Sequence, residues 1–354
     1  MTENTPPRIT LPETLKLLAP GTPLRDGLDR IVRGRTGALI VIGDDELVAA
    51  ICDGGFEFDV PMLPTKLREL SKMDGAVILS SDGSRIHRAN VQLMPDAGYH
   101  TDESGTRHRS AERTALMTGH PVIAVSQSMN IITVYVDSQR HVLQEPAEIL
   151  NRANQAIATL ERYRERLDQV NDRLFDAELH NYATVADVVT VLQREIMLLE
   201  VSRSIDRDVL ELGVDGKQLS IQLAELRGDS DRELDLLIRD YLVAPGLPSD
   251  EDVSAVFAQI AALSEAELLK STNLSQILRL PTTEESLTQG IQPRGYRVLA
   301  RVPRVQVFLM DKIISALGGV RELLAAGEEE LADVDNVGAL WARHIHEGLA
   351  RLRS

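Results

Sequence analysis

Cysteine is nearly absent from this chain: its 354 residues include one, Cys52. A lone thiol excludes an intrachain disulfide and any zinc site built from cysteines. Its neighbours Ala49, Ala50 and Ile51 suggest a buried strand thiol, the usual place of a free cysteine. Long apolar runs are missing too. No stretch approaches the roughly 18 uninterrupted apolar residues of a membrane helix, and Met1 to Thr10 lack an apolar signal core, so a cytoplasmic protein with no membrane partner is expected. A basic surplus is also lacking. The net charge of −16 argues against a surface coated in nucleic acid and leaves room only for a local basic site. The eight histidines are scattered, and His344 and His346 point to different sides of one helix, so no zinc site is expected. No Gly-x-x-x-x-Gly-Lys-Ser/Thr loop occurs, which disfavours a generic ATP-hydrolysing factor.

What remains is a globular composition, 43% hydrophobic, in a length that suits two or three domains. Up to about residue 143 β-rich runs alternate with shorter helical ones; beyond Pro146 the period is almost wholly helical. The spacing predicts strands at Ala38–Ile42, Leu47–Ile51, Ala76–Leu79, Ile86–Leu93, Val122–Ser126 and Ile131–Val136, and helices near Leu24–Val32, Thr65–Ser71 and Thr106–Thr118. From Ile149 apolar residues recur at Ala153, Ala156, Leu160, Tyr163, Leu167, Val170 and Leu174, a 4-3-4-3 seam that predicts a long helix packed on others. Further helices are expected around Val185–Leu199, Arg232–Leu242, Asp252–Leu263 and Glu265–Lys270, the last opened by the capping box Ser264-x-x-Glu267. A turn-rich stretch, Pro281 to Pro293, sets off a tail whose nine basic residues against eight acidic make it the part of this acidic chain least repelled by DNA. The expected class is multidomain, α/β followed by all-α: a mixed-sheet domain over 1–145, a helical spine over 146–285 and a helical tail over 286–354.

Two segments carry chemistry. Ser104-Gly105-Thr106-Arg107-His108-Arg109-Ser110 reads as a helix start at which backbone N–H groups and guanidinium forks face the same way. Unpaired donors, a positive helix end and bidentate arginines together suit a polyphosphate; a solvated basic helix start is the plainer reading. Upstream, Asp74-Gly75-Ala76 stands immediately before the apolar run Val77-Ile78-Leu79. Asp-Gly is a common turn dipeptide. Beside a polyphosphate cradle, Asp74 is also a candidate metal ligand, because nucleotide-bound magnesium takes one or two protein carboxylates.

Asp74-Gly75-Ala76 followed by Gly105-Thr106-Arg107-His108-Arg109, with the strand Asn90-Val91-Gln92-Leu93 between them, closely resembles the diadenylate cyclase domain. The order of sheet domain, helical spine and tail resembles the DNA integrity scanning family, cyclases that carry a helix-hairpin-helix DNA-binding end. The resemblance implies that two ATP molecules are joined into cyclic di-AMP with release of two pyrophosphates, at facing sites of two protomers within an octamer. It implies Asp74 as catalytic residue and ligand of Mg2+ or Mn2+, helping to deprotonate the ribose 3′-hydroxyl. Gly75 and Leu93 would contact the nucleoside, and Thr106, Arg107, His108, Arg109 and Ser110 the phosphates, with Ser110 standing where threonine is also usual. The loop Gln127-Ser128-Met129-Asn130 stays unassigned.

In the tail, Val334-Asp335-Asn336-Val337-Gly338-Ala339 resembles the second hairpin of such a pair, where Gly338 lets backbone N–H groups reach a DNA phosphate. The first, around Val302-Pro303-Arg304-Val305, has no glycine at its turn, and Arg304 is its candidate phosphate contact. A purely structural helical hairpin is the alternative there. Trp341 is expected in the core. The implied DNA partners are branched structures such as Holliday junctions, whose binding would suppress the cyclase. The competing class is a non-catalytic scaffold that senses ATP or cyclic di-AMP and recruits branched DNA.

Overall fold

The computed structural model describes residues 9–353. They form two compact units, one comprising the chain up to Gln155 together with Ile205–Gln222, the other Ala156–Ser204 together with Leu223 onward. The first unit opens with helices α1 (Leu11–Leu18) and α2 (Pro23–Arg33), followed by β1 (Ala38–Ile42), α3 (Glu46–Ala50), β2 (Cys52–Asp53), β3 (Phe56–Pro61), α4 (Pro64–Leu70), β4 (Ala76–Leu79), β5 (Arg85–Leu93), α5 (Thr106–Thr118), β6 (Val122–Val125), β7 (Ile132–Val136) and β8 (Gln139–Leu143). The strands make one mixed sheet in the order β2-β5-β4-β1-β6-β7-β8, with β3 also on β5. The β1–β4 pair is parallel, and the remaining pairs are antiparallel.

The sheet is covered on both faces, which is why β1 reads as an unbroken apolar run. Ala38, Ile40 and Ile42 pack with Leu24, Leu28, Ile31 and Leu67 of α2 and α4. Leu39 and Val41 pack with Ala111 and Ala115 of α5 on the other side. Each fully buried Ile contributes about 1.5–3 kcal/mol relative to exposure.

Some expectations need correction. Leu47–Ile51 lies largely in α3 rather than a strand: the Asp45 side chain accepts the Val48 N–H (3.1 Å) and so caps a helix start. A short apolar run cannot tell helix from strand by itself. Cys52 therefore sits on the two-residue β2 and is half-buried. Burial pushes its thiol pKa up, against the pull of Arg88. The polar strands β3 and β8 escaped the pattern because their side chains are largely solvent-facing.

After β8 the chain is helical: α6 (Pro146–Leu179), α7 (Val185–Leu212), α8 (Lys217–Arg227), α9 (Ser230–Tyr241), α10 (Asp250–Ala261), α11 (Glu265–Leu268), α12 (Ser271–Ile277), α13 (Tyr296–Ala300), α14 (Val307–Leu317), α15 (Val320–Ala325), α16 (Glu328–Ala332) and α17 (Gly338–Leu352). The 34-residue α6 buries Ile149, Ala153, Leu160, Leu167 and Leu174 along the expected seam. Ser264 and Glu267 form the expected capping box at α11. No helix among the described residues is long and apolar enough to cross a membrane.

In the second unit, α13 and α14 are joined by a turn with Arg304 at φ +67°, and α16 and α17 by one with Asn336 at φ +66° and Gly338 at φ +60°. Trp341 is exposed rather than in the core, edge-on to His344 at 5.7 Å between ring centroids. The buried stripe of α17 is Ala342, Ile345 and Leu349, and at about 100° per residue Trp341 falls off that stripe.

The same unit buries the carboxyl group of Glu195 beside that of Glu233, whose side chain is 30% exposed. Glu195 is 1% exposed; burial, then the charge of Glu233, push its pKa up to about 8. The folded state thus holds a proton that the unfolded chain has lost. Since the folded pKa lies above the unfolded one, stability falls as pH rises from about 4.5 toward about 8. Glu195→Gln, which mimics the protonated form, is expected to raise the melting temperature at pH 8 and leave it nearly unchanged at pH 5, a gain of about 1–3 kcal/mol. Equal shifts at both pH values in a thermal melt would contradict this.

Candidate active site

The two chemistry-bearing segments meet at one end of the sheet. Because β1 and β4 run parallel while β5 and β6 run against them, the starts of β1 and β4 lie beside the ends of β5 and β6. A cleft of about 1180 Å³ opens there. Asp74, Gly75, Leu93, Thr106, Arg107, His108 and Ser110 all border it.

Asp74 occupies the exposed turn before β4, held by Asn90, whose side-chain amide donates to the Asp74 carbonyl at 2.6 Å. Gly75 follows at φ +89°, and a Cβ there would stand 2.6 Å from the Val91 carbonyl oxygen. Only glycine lets this turn lie flat against β5 and present Asp74 to the cleft.

Opposite, α5 begins without a side-chain cap on Gly105. Its ladder starts with the Arg109 N–H donating to the Gly105 carbonyl at 2.9 Å, so the N–H groups of Thr106, Arg107 and His108 lie outside the helical ladder. Arg107 approaches the Val125 carbonyl at 3.4 Å. Gly37 makes room for it, since any side chain at Gly37 would collide with the guanidinium. His108 leans on Tyr135, Nδ1 to hydroxyl 2.9 Å, and burial pushes its imidazolium pKa down.

Arg109 departs from the expectation that the guanidinium forks face one way. It is exposed on α5 and does not border the cleft, because successive helical residues diverge by about 100°. Asp53, at the end of β2, borders the cleft without having been singled out by the sequence, and the unassigned loop Gln127-Ser128-Met129-Asn130 contributes Gln127 and Ser128 to the lining, with Ser126 before them. A two-residue strand and a turn carry no spacing signature. Gly338 and Arg304 stand in the two helical turns of the second unit.

The lining is divided along the sheet: Asp53 and Asp74 border the cleft where β2 and β4 meet β5, and the start of α5 borders it where Arg107 reaches β6 and His108 reaches β7. No group of three or more His, Cys, Asp or Glu among the described residues forms a closed metal cage. One exposed carboxylate instead fits a hard divalent cation that arrives on phosphate oxygens.

An α/β domain with a carboxylate beside an open helix start suits a phosphate-bearing ligand that carries a divalent cation, and comparison with known proteins narrows this. Residues 25–140 match the model of the DisA bacterial checkpoint controller nucleotide-binding family, and residues 143–287 that of the DisA linker region. The DNA integrity scanning protein DisA of Corynebacterium efficiens is 63% identical over 97% of this chain and 96% of its own length. That of Frankia alni is 49% identical over 96% of this chain and 94% of its own. Among solved structures, DacA from Staphylococcus aureus matches 38% of this chain and 88% of its own at 23% identity, TM-score 0.30. The chain belongs to the DisA family. It is an enzyme of the diadenylate cyclase class, whose members need a divalent metal ion.

Proposed function

We propose that each cleft binds one ATP and that two protomers facing across a two-fold axis join their nucleotides into cyclic di-AMP, releasing two pyrophosphates. The division of the cleft supports this reading most directly. Thr106, Arg107, His108 and Ser110, with the free N–H groups of α5, hold the phosphates and neutralise the departing pyrophosphate. Leu93 and Gly75 line the nucleoside. Asp74 accepts the proton of the ribose 3′-hydroxyl and ligates the cation. When bound, Mg2+ or Mn2+ supplies charge to the phosphate oxygens. Arg109, exposed on the outer side of the same helix start, is assigned to the nucleotide that a facing protomer presents. One cleft with one ATP cannot close a ring, so assembly belongs to the active site, and the octamer is the assembly we assign.

The tail is assigned to a helix-hairpin-helix domain over 286–354 that binds branched DNA through backbone donors at Gly338 and the cation of Arg304, following a cyclase domain over 1–145 and a spine over 146–285. The left-handed turns at Arg304 and Asn336–Gly338 support it, as does the relatives' name, DNA integrity scanning protein. Specific activity measured across protein dilution, with and without a four-way junction, tests both parts. The expected result is activity that falls as protomers dissociate and falls again on adding the junction. Constant activity of a monomer would overturn the facing sites, and indifference to the junction would overturn regulation through the tail.

A further inference from the structure

Behind His108 runs a chain of hydrogen bonds that neither motif contains. His108 Nδ1 lies 2.9 Å from the Tyr135 hydroxyl. That hydroxyl donates to Glu103 Oε1 at 2.7 Å, and Arg140 Nε donates to the same oxygen at 2.7 Å. A phenol has one proton to give. With it committed to Glu103, the Tyr135 oxygen can only accept from His108. The imidazole proton is thereby fixed on Nδ1, and Nε2 is left as the bare nitrogen. Nε2 is buried and has no hydrogen-bond partner among the described residues, although His108 borders the cleft. Four elements supply these groups: the loop before α5, α5 itself, β7 and β8.

We propose that Glu103 and Tyr135 are positioning residues of the cyclase site, locking the His108 ring so that Nε2 takes up a proton from solvent as ATP enters and donates a hydrogen bond to a phosphate oxygen. This rests on the nucleotide reading above and adds residues to it; no covalent bond forms or breaks in the step. The surrounding charges suit such an exchange. Burial disfavours the imidazolium, Glu103 favours it, and Arg140 and Arg107 oppose it. Asp74 and Asp53 face the same cleft from its other side. Glu103 itself stays ionised: burial raises its pKa, but hydrogen bonds from Tyr135 and Arg140 outweigh that. The balance leaves the ring neutral in the free protein, and a triphosphate adds the negative charge that tips it. Partners behind a metal-ligating histidine set both tautomer and ring orientation, and their loss typically costs about 10- to 100-fold; Tyr135 and Glu103 stand in the same relation to a ring that meets phosphate.

The test is calorimetric titration of ATP, with chelator in place of metal, into the full chain between pH 6 and 8.5. The proteins compared are wild type, Tyr135→Phe, His108→Gln and the double variant; Tyr135→Phe keeps the buried ring. Tyr135→Phe is expected to weaken ATP about tenfold at pH 7.5 and to move the alkaline loss of affinity to lower pH. In the His108→Gln background the same change is expected to cost less than about twofold, because the coupled partner is gone. Glu103→Gln, in a partly exposed loop, is expected to follow Tyr135→Phe. Protonation of the nucleotide itself cancels between proteins. An equal loss from Tyr135→Phe in both backgrounds, or an unmoved pH profile, would overturn the positioning role and leave nucleotide binding intact. Failure of wild type to bind ATP would overturn the nucleotide reading on which the proposal rests.

Discussion

Asp74→Asn is expected to cut cyclic di-AMP formation by about a thousandfold or more while ATP affinity stays within a few fold of wild type. The substitution keeps the shape of the side chain, so the turn held by Asn90 and Gly75 survives. What disappears is the negative charge that ligates the cation and the oxygen basic enough to take the 3′-hydroxyl proton. The grip on the triphosphate lies across the cleft, in Arg107, His108 and the open start of α5, and is untouched. Product chromatography paired with ATP titration separates the two effects. Near-wild-type turnover would remove Asp74 from the chemistry, and parallel loss of turnover and binding would make it a binding residue only.

The second large effect concerns stability. Arg297→Leu is expected to destabilise the second unit by about 3–5 kcal/mol, the usual cost of stranding one member of a buried ion pair. The Arg297 side chain is 7% exposed and that of Glu178 is 0%. Arg297 Nε donates to both Glu178 oxygens, at 2.9 and 3.2 Å, and another guanidinium nitrogen donates to the Asn171 side-chain oxygen at 2.7 Å. Tyr241 adds a hydroxyl to Glu178 at 2.7 Å. Beside them the buried Asp240 accepts the backbone N–H groups of Gly295, Tyr296 and Arg297 at 2.6 to 2.9 Å. This network ties the start of α13 to α6 and α9. Removing the guanidinium leaves the buried Glu178 carboxyl group without its cation and with Asp240 close by. Glu178→Gln combined with Arg297→Leu is expected to recover much of the loss. Urea unfolding of both variants checks this; Arg297→Leu alone proving no less stable than the double would contradict the ion pair's role.

The sequence revealed most where chemistry or burial constrains residue type. β1, β4 and β6 were legible because burial on both faces leaves only apolar residues there. The α6 seam was legible because one stripe repeats along its length. Asp74-Gly75 and the start of α5 stood out because a carboxylate beside a glycine and an arginine-rich helix start have a chemistry of their own, and both border the same cleft. Leu47–Ile51 was not, since five apolar-rich residues suit α3 as well as a strand and the Asp45 cap decides. Tyr135 read only as one residue of a buried strand; its role depends on partners in β8 and the loop before α5, which sequence spacing cannot bring together. Arg109 and Trp341 show the remaining gap: neighbouring residues on a helix point apart, so membership of a motif or of an apolar type does not set direction.

The most direct measurement is chromatography of the nucleotides after the 354-residue chain is incubated with ATP and Mn2+. Cyclic di-AMP and pyrophosphate are expected, two pyrophosphates for each ring closed. Unchanged ATP, or ADP with inorganic phosphate, would contradict it.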